Sequence, residues 1–204
     1  MKYPYLKGNP NFVVHDDGYY FHENISWSEI AVGNLAFRYY PDGFTFNVKG
    51  MSTFSKSMYS LFSILAFANT KVADCLAHII NPSISFGVNS FGKLPFLPAD
   101  EGAEQIAEKN VQLSERDWDS FETSWDFKKH PLLHNVSTIS EAFAQWKAEC
   151  DDRFNRLKAN EEELNRIFID IYGLQDELTP EVEDKDVTCL LYTSPSRRDI
   201  SGSR

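Results

Sequence analysis

The sequence lacks several features on which whole classes of protein depend. Its three cysteines, Cys75, Cys150 and Cys189, are odd in number, far apart and form no CxxC motif. A disulfide framework is therefore not expected, and a reducing, cytoplasmic environment fits. The most apolar stretch, residues 58–68, is about half the length that a membrane-spanning helix requires. We therefore expect no membrane-spanning segment.

Sequence motifs of common enzymes are also missing. There is no P-loop, no GxGxxG after a strand, no HExxH and no GxSxG. His130 and His134 have the spacing of metal ligands on a helix, but Pro131 lies between them and no cysteine is near, so surface histidines are the favoured interpretation. His78 is interpreted as a histidine at a helix end, and the acid runs as solvated charges. No catalytic or metal site is predicted.

An excess of positive charge is absent from both halves of the chain, and the negative charge is concentrated in the second. The net charge is −10, but residues 1–100 carry seven Lys/Arg and seven Asp/Glu and are neutral. Residues 101–188 carry ten Lys/Arg and 22 Asp/Glu. An acidic region repels phosphate, so any nucleic-acid contact is expected in the first half.

The first half has the pattern of a small α+β unit. Residues 35–40 and 44–48 are β-prone runs that flank Pro41-Asp42-Gly43, which predicts a hairpin with one buried face. Apolar residues at steps of three and four predict one helix over residues 58–79, capped by Ser55 or Ser57.

This predicted helix is expected to end at Asn81-Pro82, since proline disfavours its continuation. Alternation over residues 84–88 then predicts a further half-buried strand. We assign residues 1–98 to this unit and residues 99–137 to an acidic and aromatic connector.

A long helix is predicted from Thr138 to Tyr172, within a spacer segment at residues 138–178. Its apolar stripe repeats with a period near 3.5, which is typical of a helix that packs along another helix. Arg153 and Asn160 occupy two positions of the stripe, where polar residues can set register. Gly173 is a plausible C-terminal stop.

Candidate DNA contacts were selected by charge and by position in a predicted loop. Residues 49–53 follow a strand end and offer a lysine, two hydroxyls and backbone amides that suit a phosphate or a base edge. The predicted contact residues are Arg38, Lys49, Ser52 and Lys56.

The last 16 residues, 189–204, do not continue the preceding pattern. They are rich in Ser and Arg, and they resemble a common sequencing adapter read in frame. We expect this tail to be an artefact, which implies that the chain is a fragment.

Two long strings resemble a known family. They are residues 118–127, WDSFETSWDF, and residues 158–178, KANEEELNRIFIDIYGLQDEL. Both resemble PglX-type adenine-specific DNA methyltransferases of BREX phage-defence systems and the related fused restriction–modification enzymes. Shorter strings at residues 25–28, 37–39 and 81–88 support the resemblance, which covers about residues 20–188.

The resemblance implies a role in DNA recognition rather than in catalysis. In that family a catalytic domain binds S-adenosylmethionine and flips adenine into a pocket that contains an Asn/Asp-Pro-Pro-Tyr/Phe motif. This chain lacks that motif and the glycine-rich cofactor loop; its nearest strings, at Asn9-Pro10 and Asn81-Pro82, have no second proline. The fragment is similar to the later part of a target recognition domain followed by a helical spacer.

The resemblance thus implies duplex DNA and the catalytic domain of the same polypeptide as partners, with the cofactor held outside this fragment. Two alternatives stay open. The long helix favours a structural or interaction module with a helical partner in cis or in trans. The recognition-like half also fits part of a type I specificity subunit.

Overall fold

The computed structural model describes Tyr5 and residues 17–31, 33–47, 49–55, 58–133 and 136–187. Within these residues the chain forms a three-stranded antiparallel sheet and five helices, so the predicted α+β class is confirmed. The strands are β1 (Asn24–Ser28), β2 (Arg38–Tyr40) and β3 (Gly50–Thr53). The helices are α1 (Leu61–Ala68), α2 (Lys71–Ile80), α3 (Val88–Phe91), α4 (Glu101–Trp118) and α5 (Ile139–Tyr172).

The central strand of the sheet is β1, with β2 on one side and β3 on the other. The predicted hairpin between β2 and the following residues is therefore wrong. The turn itself forms, with Gly43 at φ 102°, but the chain beyond it does not pair with β2. β1 is the partner of β2 instead. Its residues Ile25 and Trp27 are 0% and 3% exposed, so pairing with β1 brings β2 and β3 onto the core.

The single helix predicted over residues 58–79 is two helices, α1 and α2, bent by 78° at Asn69 and Thr70. The N-caps are Ser60 and Thr70 rather than Ser55 or Ser57. The break is fixed by the side chain of Asn69. Its amide group exchanges two hydrogen bonds with the backbone of Phe37, at 2.9 and 3.0 Å. The predicted end at Asn81 is confirmed.

The strand predicted over residues 84–88 is reduced to one bridge, Ile30 to Ser85, and α3 begins at Val88. Ile84 and Val88 are 63% and 48% exposed, whereas Phe86 is 3% exposed. Phe86 is held by the Trp27 indole, whose Nε1 donates to its carbonyl oxygen at 2.8 Å. The chain uses one buried anchor here instead of a half-buried face.

Helix α4 begins within the predicted connector and was not anticipated. Asp100 caps it, and its side chain accepts a hydrogen bond from the Ala103 amide. Ala103, Ala107 and Leu113 face the core at 1–3% exposure. A stripe made largely of alanine carries little hydropathic signal, so the acidic face dominates the sequence pattern.

The long helix α5 is confirmed: it begins one residue after Thr138, which caps it, and it ends at the predicted stop Gly173, which has φ 67°. Its stripe packs on α4 in an antiparallel arrangement. Asn160 Nδ2 donates to Asn110 Oδ1 at 2.7 Å, and Arg153 Nη2 lies 3.4 Å from Asp117 Oδ1. The helix therefore finds its partner within the same chain, through the polar positions that the periodicity singled out.

The core is continuous across residue 98. Its largest cluster combines buried residues of four helices: Ala66, Phe67, Val72, Ala73, Ala103, Ala107, Leu164, Phe168 and Ile169. A second cluster joins α1 to the sheet through Ile25, Trp27, Phe37, Leu61 and Leu65. The domain boundary near residue 98 stays a prediction.

No single helix in the described ranges is both long enough and apolar enough to cross a membrane.

Candidate nucleic-acid interface

The sheet has one apolar and one polar face because apolar and polar residues alternate along β1, although Asn24 at the start of the strand is itself 3% exposed. Ile25 and Trp27 point to the core, whereas Asn24, Ser26 and Ser28 lie on the opposite face, which we call the outer face. Residues directly opposite each other in antiparallel strands share a face. The register thus determines which side chains of β2 and β3 join the outer face.

Two predicted contact residues meet on the outer face in one row. Ser26 is paired with Arg38 on β2 and with Ser52 on β3. Neighbouring side chains in such a row stand about 5 Å apart. The structure therefore brings Arg38 and Ser52 together around Ser26, although they are 14 positions apart in the chain.

The backbone at Arg38 is firmly positioned, and the guanidinium has no acidic partner among the described residues. The preceding residue, Phe37, is 1% exposed and is clamped by the Asn69 amide. The Arg38 guanidinium donates to the Phe37 carbonyl oxygen at 3.3 Å, and no carboxylate of the described residues forms an ion pair with it. A half-buried guanidinium without a carboxylate can take a phosphate oxygen or a guanine edge.

Lys49 is less available than the sequence suggested. Its Nζ lies 2.7 Å from Glu29 Oε2, while its side chain is 71% exposed. The hydrogen bond and charge of Lys49 lower the pKa of Glu29, so the carboxylate stays ionised at neutral pH. A phosphate would have to compete with Glu29 for this lysine.

The segment around Ser52 is a strand, not the flexible loop that was predicted, because Gly50–Thr53 pairs with β1 along its whole length. The Ser52 hydroxyl is buried and has no hydrogen-bond partner among the described residues. Because this oxygen is shielded from solvent, it is not open to a ligand in this structure. Lys56 lies outside the described residues.

A run of aromatic rings next to the sheet was missed by the sequence analysis. Five rings form a chain of contacts with centroid distances of 4.9–6.3 Å: Phe21, Tyr20, Phe46, Phe54 and Tyr19. Tyr40 and Phe44 meet edge to face at 5.6 Å. The cluster Tyr19-Tyr20-Phe21 was the available signal in the sequence.

The described histidines that the sequence singled out make contacts within the fold. His78 Nδ1 contacts the Asp74 carbonyl oxygen at 2.8 Å, and His130 Nδ1 accepts from the Leu132 amide at 3.1 Å. His134 lies outside the described residues. Over the described part of the chain no group of His, Cys, Asp and Glu could hold a metal ion.

The Asn81 side chain, in the string nearest to the family's catalytic motif, is fully engaged. Its amide nitrogen donates to the Ser85 carbonyl oxygen and to the Ser90 hydroxyl at 2.8 and 3.0 Å. Its oxygen accepts from the backbone and hydroxyl of Ser83. Asn81 ties α2 to α3 and has no remaining donor for a substrate amine. Asn9-Pro10 lies outside the described residues.

No family model matches the chain. The chain is, however, a relative of adenine-specific methyltransferases. It is 46% identical over 189 residues to the adenine-specific methyltransferase PglX of Lacticaseibacillus casei (strain Zhang), a match that covers 88% of this chain. It is 30% identical over 166 residues to the adenine-specific methyltransferase BrxX of Escherichia coli O9:H4 (strain HS), which covers 80% of this chain.

These matches confirm the resemblance to PglX-type methyltransferases that residues 118–127 and 158–178 indicated. The chain spans 15% and 14% of the length of these two relatives. Most of the length of a relative therefore has no counterpart in this chain.

Proposed function

We propose that this chain is the DNA-recognition portion of an adenine-specific DNA methyltransferase, and that the outer face of its sheet contacts the duplex. The observation that carries the proposal is the similarity over 88% of the chain to an adenine-specific methyltransferase. The row Arg38–Ser26–Ser52 supplies the surface, because Arg38 has no carboxylate partner among the described residues and stands beside Ser26 on a rigid sheet, whereas the Ser52 hydroxyl is buried in this structure.

The division of labour within the proposed parent enzyme follows from the chemistry. The exocyclic amine of adenine is inaccessible in a stacked duplex, so the base must be flipped into a catalytic pocket. S-adenosylmethionine would supply the methyl group in a catalytic domain elsewhere in the parent. This chain has no glycine-rich loop to hold that cofactor and no Asn/Asp-Pro-Pro motif to hold the adenine amine, and its Asn81 amide is occupied. Its residues would choose the site rather than modify it, in a phage-defence or restriction–modification setting.

The acidic helices support this orientation. Residues 101–188 hold 22 Asp/Glu against ten Lys/Arg and would be repelled by phosphate. α4 covers the stripe of α5 in cis, which favours a spacer over a free interaction helix. Duplex DNA would therefore approach the sheet with the helix pair directed away from it.

The test measures binding of the full chain to a fluorescent 20-base-pair duplex by anisotropy at low salt. Arg38→Ala is expected to weaken binding by about tenfold, since a hydrogen bond to a charged group contributes about 1.5–3 kcal/mol. The slope of log K against log salt should fall by about one if Arg38 contacts phosphate. Arg116→Ala removes the same charge from an exposed position on α4 and is the matched control. Equal losses in the two variants, or no binding by the wild-type chain, would contradict the proposal.

A further inference from the structure

Phe21 has a backbone conformation that a bulky residue rarely adopts. Its φ is 66°, and it is the one non-glycine residue with positive φ in the described part of the chain. A side chain with a Cβ is strained in this left-handed region, where glycine is the ordinary choice. Such strain persists only where the surroundings impose it.

The surroundings of Phe21 do impose it. Its amide donates to the Phe44 carbonyl oxygen at 3.0 Å, and the Gly43 amide donates to the Phe21 carbonyl oxygen at 2.9 Å. On the side nearer to β1, the Glu23 amide donates to Asp42 Oδ1 at 2.8 Å. The segment before β1 is thus clamped to the turn after β2.

The Phe21 side chain has little role in folding, because it is 59% exposed. Two further aromatic side chains at this end of the sheet are also exposed, Tyr40 at 38% and Phe44 at 49%. The structure therefore holds an apolar ring in solvent on a strained and rigid backbone. We call Phe21, Tyr40 and Phe44 the aromatic tip.

The aromatic tip lies beside the polar row. Tyr40 pairs with Asn24, so it shares the outer face with Arg38, about 7 Å away along β2. Arg38 has no acidic partner among the described residues, which suits a phosphate next to stacked bases. The carboxylates of Glu23 and Asp42 each accept a hydrogen bond within the fold, from the Tyr39 hydroxyl and the Glu23 amide.

We propose that the aromatic tip inserts into the base stack of duplex DNA, with Phe21 as the wedge and Arg38, which lies nearer to Tyr40 than to Phe21, on a phosphate further along the duplex. This inference rests on the proposed function and adds the way in which the sheet engages the duplex. Apolar wedges between base steps unstack and kink DNA, and aromatic rings stack on any base. A ring in this position would fill the gap that an extruded adenine leaves.

The test compares the full chain on two fluorescent duplexes of equal sequence, one intact and one with a single abasic site that presents the gap in advance. Stacking on a base is strong enough to give about a tenfold preference for the abasic duplex. Phe21→Gly should remove this preference while the fold is kept, because glycine relieves the strain at positive φ. Phe21→Trp should retain it. Trp125→Ala is the matched control, since Trp125 is fully exposed and lies between α4 and α5.

The outcomes separate the two proposals. Loss of the preference in Phe21→Gly, with Trp125→Ala unchanged, supports the wedge. If Phe21→Gly still prefers the abasic duplex and Arg38→Ala still weakens binding, the wedge is wrong and the proposed function stands. If the wild-type chain binds neither duplex, the proposed function fails and the wedge fails with it.

Discussion

The sheet and the helix pair use their polar side chains in opposite ways. Between α4 and α5, polar groups contact one another: Asn160 binds Asn110, and Arg153 binds Asp117. On the outer face of the sheet, Arg38 has no acidic partner and the Ser52 hydroxyl has no partner at all among the described residues. The helix pair directs its polar chemistry inward to fix its own register. On the sheet, Arg38 and Ser52 do not pair with such partners within the described fold.

The two regions are nevertheless mechanically one body. Phe67 of α1 contacts the rings of Phe168 and Tyr172 of α5 at 5.5 and 5.7 Å. α1 in turn supports the sheet, since Tyr39 of β2 stacks on Phe62 at 5.0 Å. Under the proposed function, α5 would fix the orientation of the proposed recognition surface rather than act as a loose tether.

The largest expected effect tests this shared core. Phe168 is fully buried, so Phe168→Ala should lower the free energy of unfolding by about 3–5 kcal/mol. Urea denaturation followed by far-UV circular dichroism and by tryptophan fluorescence should show one common transition. Ile171→Ala, on the same helix at 38% exposure, is the control and should cost no more than about 1 kcal/mol. Two separate transitions would show that the regions fold independently.

The next effect concerns the ion pair between the helices. The side chains of Arg153 and Asp117 are 13% and 4% exposed, so Asp117→Ala leaves a buried cation and should cost about 3 kcal/mol. The pair is imperfect, because Arg153 Nε has no hydrogen-bond partner in the described structure. The double change Arg153→Met with Asp117→Leu should therefore recover most of the loss in a denaturation experiment. A double variant as unstable as Asp117→Ala would show that the pair itself, rather than the stranded charge, stabilises the helices.

The same contrast explains what the sequence could reveal of the fold. α5 was predictable because a long apolar stripe and a glycine stop agree over 34 residues. The hairpin was not, because the partner of β2 is the five-residue strand β1, whose pairing depends on contacts distant in the chain. α4 escaped notice because Ala103 and Ala107 bury a face without raising the hydropathy.

The candidate site was predictable only in part. Charge alone selected Arg38 and Lys49, but sequence does not show that Glu29 holds one of them and not the other. The row through Ser26 depends on register, which a one-residue slip would have moved to the other face. The left-handed backbone of Phe21 has no signature in its residue type.

The smallest effect sharpens the comparison between engaged and available charges. Glu29→Gln removes the acceptor charge that holds Lys49 but can still accept from the Ser85 hydroxyl, 3.4 Å away. Releasing the lysine and removing a negative charge should tighten binding of the full chain to duplex DNA by about two- to threefold at low salt, with the gain lost as salt screens it.

Lys49→Ala should correspondingly weaken binding less than Arg38→Ala. Glu163→Gln removes an equivalent charge that is paired with Arg166 on α5, and anisotropy should show no change for it. A gain of the same size in Glu163→Gln would mean that net charge alone governs binding. The difference between the charges of the sheet and those of the helix pair would then have no bearing on DNA binding.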